Sequence, residues 1–180
     1  SEGILECFKH VLKEFGYPPK DDRTIYNTIG MTLVDAFDLL TDMPDNPQRE
    51  DMRKAYVKKA DEVMVKKTYF YDDTIAILQT LQNAGVKVGI VSTKYRYRIV
   101  NTFNEQAGSL PVDIIVGGED VTRAKPDPQG LDLIIERFGA DKSDVLYIGD
   151  SYIDAETALN SGVDFAGVTT GSTTKEDFEK

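Results

Sequence analysis

Cysteine and histidine are nearly missing from this chain. Cys7 and His10 are the sole examples of each type, and tryptophan is absent. A lone thiol excludes an internal disulfide and makes a reducing cytoplasm the expected compartment. It also excludes a structural zinc centre within one chain, which takes about four Cys or His ligands. Both residues fall in the first helical pattern, where Cys7 is expected to be buried and His10 exposed, neither with a functional role. Positive charge is scarce too. Lys and Arg total 21 against 31 Asp and Glu, a net charge of −10. That balance argues against nucleic acid or an anionic membrane as partner. An anionic substrate would need a metal or a local lysine to reverse the field. No apolar run approaches the roughly 18 residues of a membrane span, and no signal peptide is visible. The initiator Met is missing, and both ends, Ser1-Glu2-Gly3 and Lys180, read as cut rather than finished.

What is present suits a folded chain: 41% hydrophobic residues, 29% charged, and no low-complexity tract. The first third has no strand pattern. Ile4, Leu5, Phe8, Val11, Leu12 and Phe15 recur on one helix face. Gly16 and Pro18-Pro19 then stop the helix. A short helix from about Asp22 to Ile29 ends at Gly30, and Thr32 caps another running to about Leu40. After the loop at 42–47, a charged helix spans about Gln48 to Lys66, with Met52, Ala55, Tyr56, Val63 and Met64 on its apolar side. Residues 1–67 read as a helical bundle, with Lys58-Lys59 and Lys66-Lys67 on a solvated face.

From 68 to 180 helix and strand alternate. Asp72 or Asp73 caps a helix carrying Ile75, Leu78 and Leu81, which ends at Gly85. Strands follow at Val86–Val91, Val112–Val116, Val145–Ile148 and Phe165–Val168. Helices lie between them at about Tyr95–Gln106, from Asp127-Pro128 to Phe138, and at Ile153–Asn160. This alternation implies an α/β fold: a three-layer parallel sheet with helices on both faces. Ligands bind such sheets beyond the carboxyl ends of the strands. There stand Ser92-Thr93-Lys94, then Gly117-Gly118-Glu119-Asp120 with Arg123-Ala124-Lys125-Pro126-Asp127-Pro128, then Gly149-Asp150-Ser151-Tyr152-Ile153-Asp154. A hydroxyl, a lysine and two carboxylates would meet in one crevice. Paired carboxylates suit Mg²⁺, which takes one or two protein carboxylates and keeps waters and phosphate oxygens. A hydroxyl and a lysine suit transferring phosphoryl oxygens. Asp127 reads better as a helix cap than as a catalyst. Tyr69, Tyr71, Tyr95 and Tyr97 read as packing residues between the helical and sheet regions. Arg96 and Arg98, alternating with them, make a poor nucleic-acid footprint.

Ser92 after an apolar strand, Lys125 in K-P-D-P, and Gly149-Asp150-x-x-x-Asp154 together resemble motifs two to four of the haloacid dehalogenase superfamily. The likeness is greatest to its phosphoglycolate-phosphatase-like branch. The Ile29-Gly30-Met31-Thr32-Leu33 turn and the surrounding helices resemble that branch's cap. The resemblance implies a Rossmann-like core at 68–180 and a helical cap at 1–67. It implies that Ser92, with Thr93 beside it, binds the transferring phosphoryl group and that Lys125 steadies its charge. Asp150 would ligate Mg²⁺, with Asp154 supporting it directly or through water, and Lys94 would reach the substrate phosphate. Glu14, Asp21, Arg23, Asn27 and Thr28 would lie near the cap–core cleft. The implied activity is Mg²⁺-dependent hydrolysis of a small phosphorylated metabolite, with phosphoglycolate the leading substrate. Pyrophosphate, sugar phosphates, nucleotides or a phosphomutase reaction are the sister alternatives.

The family's first motif, D-x-D-G-T at the end of a first strand, supplies the nucleophile and the acid/base group. It occurs nowhere in this chain. Asp72-Asp73 and Asp35-x-x-Asp38 sit in helical context instead. The missing strand would lie inside the sheet, so its loss would bare the edges of its neighbours. We therefore expect a preceding segment of roughly 10–20 residues, one strand and one loop. A phosphate-binding protein without a nucleophile is the non-enzymatic alternative. A dehalogenase is disfavoured by the Asp150 and Asp154 pair.

Overall fold

The structure, a computed structural model, describes residues 2–171 and 173–179; the termini Ser1 and Lys180 of the ranges above lie outside the described residues. Four helices come first: α1 (Glu2–Glu14), α2 (Asp22–Tyr26), α3 (Leu33–Leu40) and α4 (Arg49–Lys67). Helix α1 follows its sequence pattern, burying Ile4, Cys7, Phe8, Val11 and Leu12. Gly16 leaves it at φ +77°, in the left-handed region that glycine reaches without a Cβ penalty. Thr32 caps α3, its Oγ1 accepting from Asp35 N. Helix α4 is charged on most of its surface yet buries Met52, Tyr56, Ala60 and Met64, one residue per turn. These meet α1 and α3 in one core where Phe8, Phe37 and Tyr56 pack ring to ring. Cys7 is sealed in this core, and burial pushes its thiol up to about 11, so it is inert at neutral pH.

The end of α3 is fixed by charge. Asp38 accepts from the backbone N–H of Asp45 and Asn46, each at 3.0 Å, and from Arg49 Nη1 at 2.7 Å. Desolvation acts to raise its pKa. The Arg49 and backbone hydrogen bonds outweigh it, leaving the carboxyl below its usual 3.8. A group depressed in the folded state stabilises above its unfolded pKa and loses that contribution as pH falls through the folded one. Asp38→Asn is therefore expected to cost about 1–3 kcal/mol at pH 7. The difference from wild type should shrink below the usual carboxylate pKa of 3.8. Urea unfolding at pH 7 and at acid pH measures both.

The remaining elements are α5 (Thr74–Asn83), β1 (Gly89–Val91), α6 (Arg96–Ala107), β2 (Ile114–Val116), α7 (Gln129–Phe138), β3 (Leu146–Gly149), α8 (Tyr152–Ser161), β4 (Asp164–Gly167) and α9 (Lys175–Phe178). Short 3₁₀ turns at Gly118–Asp120 and Lys142–Asp144, and α9, were not expected from the sequence. The strands fall where expected, β1 and β2 shorter than expected and β3 and β4 of the expected length but shifted by one residue, and they form two parallel pairs, β1 with β2 and β3 with β4. Helix α7 packs on β1, β2 and α8, and α8 packs on β3 and β4, so the two pairs share one helical layer. Among the described residues, one edge of β1 and one edge of β3 have no strand beside them. Leu146 and Ile148 of β3 and Ile77 and Leu81 of α5 are exposed.

Tyr69 and Tyr71 are 76% and 69% exposed, which corrects their expected packing role: neither reaches a wall of the core. Tyr95 and Tyr97 do lie between the helical and sheet regions. Tyr95 Oη accepts from Arg53 of α4 at 2.9 Å, and Tyr97 Oη donates to Asp61 of α4 at 2.5 Å.

Candidate active site

A cavity of about 200 Å³ lies between the helical unit and the carboxyl ends of β1 and β3. Strand β1 stops at Val91, so Ser92, Thr93 and Lys94 enter its wall. Strand β3 stops at Gly149, so Asp150 and Ser151 enter beside them, with Asp154 in the first turn of α8. Lys125 arrives from the loop after β2. The structure thus brings Ser92, Thr93, Lys125, Asp150 and Asp154, the residues singled out by the sequence, to one space. Of the five expected at the cleft, Thr28 lines it. Among the others, Asp21 instead caps α2 and Glu14 lies 3.5 Å from His10.

The Gly117-Gly118-Glu119-Asp120 turn is scaffold for the Ser92 loop. Gly118 N donates to Lys94 O at 3.0 Å, and Arg96 N donates to the Glu119 carboxylate at 2.8 and 3.0 Å. A Cβ on Gly118 would stand 2.6 Å from Thr93 O, so only glycine permits this approach. Ser92 Oγ accepts from Lys94 N at 3.1 Å, which leaves its hydroxyl proton uncommitted. Asp127 was expected as the cap of α7, but the cap position is Pro128; Asp127, one residue earlier, accepts from Gln129 N at 2.9 Å and from Arg123 Nε at 2.6 Å.

Asp154 is the organising carboxylate. Its Oδ1 accepts from Lys125 Nζ at 2.6 Å and from Tyr147 Oη at 3.0 Å. Its Oδ2 accepts from Ser151 Oγ at 2.6 Å, Ser151 N at 3.2 Å and Asp150 N at 3.3 Å. Ser151 Oγ in turn accepts from Asp154 N, so the cap of α8 and the site are one structure. Asp154 is 5% exposed. Desolvation pushes its pKa up, but the Lys125 charge and the hydrogen bonds from Lys125, Ser151 and Tyr147 outweigh that and hold it ionised, below the usual range. Burial, reinforced by the Asp154 charge, pushes the Tyr147 phenol up, so it stays a donor.

Asp150 differs. Its carboxylate makes no hydrogen bond or ion pair among the described residues, and it faces the cavity. No group of three or more His, Cys, Asp or Glu side chains able to hold a metal stands among the described residues. A free carboxylate beside a saturated one suits a hard cation that keeps most of its ligands from water and substrate, and it does not suit zinc.

A Cβ on Gly149 would overlap the Asp154 side chain. Gly149→Ala is expected to displace Asp154 from its donors and to cost about 1–3 kcal/mol. It should also lower turnover far more than a distant substitution of equal stability cost. Thermal unfolding together with assay well below Tm separates the two effects.

Sequence reasoning missed Arg98, weighed only as part of a nucleic-acid footprint and given no place in the site. It is 7% exposed. Its Nη2 donates to Val57 O at 2.7 Å and its Nε to Asp61 Oδ1 at 2.9 Å, with Tyr95 and Tyr97 rings alongside. The run of tyrosines around it was the available signal, since arginine packs on aromatic faces. Among the described residues no helix is long and apolar enough to cross a membrane.

Comparison with known proteins agrees with this geometry. A haloacid dehalogenase-like hydrolase from Bacteroides fragilis has a structure 46% identical, with a TM-score of 0.95 over 99% of this chain and 85% of its own. The pyrophosphatase PpaX of Listeria monocytogenes is 28% identical over 93% of this chain and 76% of its own length. The phosphoglycolate phosphatase of Shigella boydii is also 28% identical, over 82% of this chain and 57% of its own. The sequence model of the haloacid dehalogenase-like hydrolases matches residues 1–168, which takes in the helical unit, the Ser92 loop, Lys125 and the Asp150–Asp154 turn. A family model that covers nearly the whole chain and a 46% identical structure of the same fold fix its family: the chain belongs to the haloacid dehalogenase-like hydrolases.

Proposed function

We propose that this protein is a Mg²⁺-dependent phosphatase acting on a small phosphorylated metabolite of the phosphoglycolate kind. The observation that carries this reading is the convergence of Ser92, Lys125, Asp150 and Asp154 on one small cavity under a helical wall. Ser92, through its uncommitted hydroxyl, and Thr93 bind the transferring phosphoryl group. Lys125 sets its ammonium against the charge that grows there, fixed in place by Asp154. Asp150 is the carboxylate free to hold Mg²⁺, and Asp154 supports the site through Lys125 and the Asp150 N–H. When bound, the ion neutralises phosphoryl oxygen charge. The cap wall excludes water.

In this reading the attacking carboxylate belongs to a preceding D-x-D-G-T segment: it takes the phosphoryl group as the ester P–O bond breaks, the motif's second aspartate protonates the departing alcohol, and water then hydrolyses the aspartyl-phosphate. Three features support such a strand between β1 and β3: their unpaired edges, the exposed Leu146 and Ile148, and the uncovered Ile77 and Leu81 of α5. We divide the protein into a cap at 1–67 and a core from 68, and place it in the cytoplasm on the strength of its single buried thiol.

Two relatives of equal identity carry different names, pyrophosphatase and phosphoglycolate phosphatase. The cap wall of the cavity is built from Ile4, Phe8, Ile29, Met31, Tyr56 and Met64 among others, with no charged side chain from α1 to α4. That favours a leaving group with carbon over a second phosphate. The test is phosphate release by the intact gene product with Mg²⁺ on phosphoglycolate, pyrophosphate, hexose phosphates and nucleoside monophosphates. Turnover highest on phosphoglycolate is expected. Turnover highest on pyrophosphate would replace the substrate, and none on any ester would overturn the phosphatase reading.

A further inference from the structure

Three cations line the cavity, and two of them are occupied. Lys125 is paired with Asp154 at 2.6 Å, and Arg98 with Asp61 at 2.9 Å. The third, Lys94, makes no ion pair or side-chain hydrogen bond among the described residues. It is half-buried, and desolvation, aided by Arg98 and opposed by Asp150, holds it below the usual lysine range. A partly desolvated ammonium without a direct partner gains from a negative group that reaches it. On the cap side the cavity holds a second unfinished group. Tyr56 is 5% exposed, yet its hydroxyl has no hydrogen-bond partner among the described residues. No buried side-chain polar atom there is both sealed and unpaired, so this hydroxyl opens onto the cavity that Tyr56 lines.

Arg98 joins the two. It lies four residues beyond Lys94, in the first turn of α6, and it grips the carbonyl of Val57, the residue next to Tyr56. Its hold on Val57 and Asp61 fixes α4 against the Lys94 loop, making Arg98 a positioning residue for this end of the cavity.

We infer that Lys94 and Tyr56 form the leaving-group subsite, clasping one carboxylate on a short carbon spine: the Lys94 ammonium balances its charge and the Tyr56 hydroxyl donates to it. This rests on the phosphatase reading above and adds the specificity determinants to it. With Asp150 assigned to the metal ion, Lys94 is the one lining cation among the described residues left for a negative charge at the far end of the substrate. Across from it the Thr28 hydroxyl is already spent on Ile25 O, so the cap side offers the Tyr56 hydroxyl, with Phe8 and Met31 for the spine. Sugar hydroxyls would find few partners there.

The test is calorimetric binding to the intact protein with Mg²⁺, using 3-phosphonopropanoate and propylphosphonate, which share shape but differ in the carboxylate. Wild type should bind the first about 10–100-fold more tightly, the range for a charged hydrogen-bonded contact. Lys94→Met, close in volume and relieved of a buried charge, should fold and lose that difference. Tyr56→Phe should reduce it by about threefold to tenfold with propylphosphonate unchanged. Equal affinity of wild type for both ligands would overturn the inference. So would a Lys94→Met variant weakened equally toward both, because Lys94 would then serve the phosphoryl end. Binding of neither ligand would instead sink the phosphatase reading on which the subsite rests.

Discussion

Replacing Lys125 with methionine is expected to damage the protein twice. The Lys125 and Asp154 side chains are 11% and 7% exposed and 2.6 Å apart. Removing one partner of a buried pair leaves the other charge uncompensated, at a cost of about 3–5 kcal/mol. Here the cost falls toward the lower end, because Tyr147, Ser151 and the Asp150 N–H still hold Asp154. Loss of the ammonium also removes a preorganised charge from the transferring phosphoryl group, and turnover should fall by about 10²–10³-fold. The double variant Lys125→Met/Asp154→Asn tells these apart. It should regain much of the stability, since no buried charge is orphaned, but none of the turnover. Denaturant unfolding and phosphate release on the same preparations give both numbers. A Lys125→Met variant that keeps wild-type turnover would remove Lys125 from the chemistry.

The contrast between Lys125 and Arg98 marks where sequence reading succeeds. Asp150 and Asp154 were legible because they follow the end of a strand, and Lys125 because it lies in the loop that leaves another, and a parallel sheet sends its strand ends to one side. Asp154 follows Asp150 by four residues, so once a helix starts at Tyr152 its carboxylate turns back toward the strand end. The partner of Asp154 was not legible, because Lys125 lies 29 residues away and meets it only through the packing of α7 and α8. Arg98 is the stronger case. Nothing in its local sequence gives it a partner, yet Asp61 of α4, 37 residues distant, draws it inward between two tyrosine rings.

Strand position was readable and strand length was not. Val86 carries a β-branched strand signal, but it has no parallel partner opposite it, and pairing begins only near Val88, whose N–H bonds Asp113 Oδ2. Tyr56 was read as packing from its place on the apolar side of α4, and the ring does pack on Phe8 and Phe37. What the pattern cannot show is that its hydroxyl end is left unpaired at the cavity.

That dual role of Tyr56 makes the cap core a second place where one substitution should have a large effect. Phe37 is fully buried, and it meets the ring of Phe8 at 5.2 Å and that of Tyr56 at 6.3 Å. Phe37→Ala deletes a ring from a close-packed three-ring cluster and should cost about 3–5 kcal/mol. The core helices α7 and α8 do not share that cluster, so the loss should concentrate in α1, α3 and α4. Hydrogen exchange should therefore rise in those helices before it rises in β3 and α8. Function should follow the packing. With the Tyr56 ring released from Phe37, discrimination between 3-phosphonopropanoate and propylphosphonate should weaken in Phe37→Ala. Affinity for the shared phosphonate, held by core residues, should change less. Phe37→Leu refills most of the volume and should recover at least half of the stability and most of the discrimination. Exchange that rises equally throughout the chain would mean instead that cap and core unfold as one unit, and that the ring cluster stabilises the site as a whole.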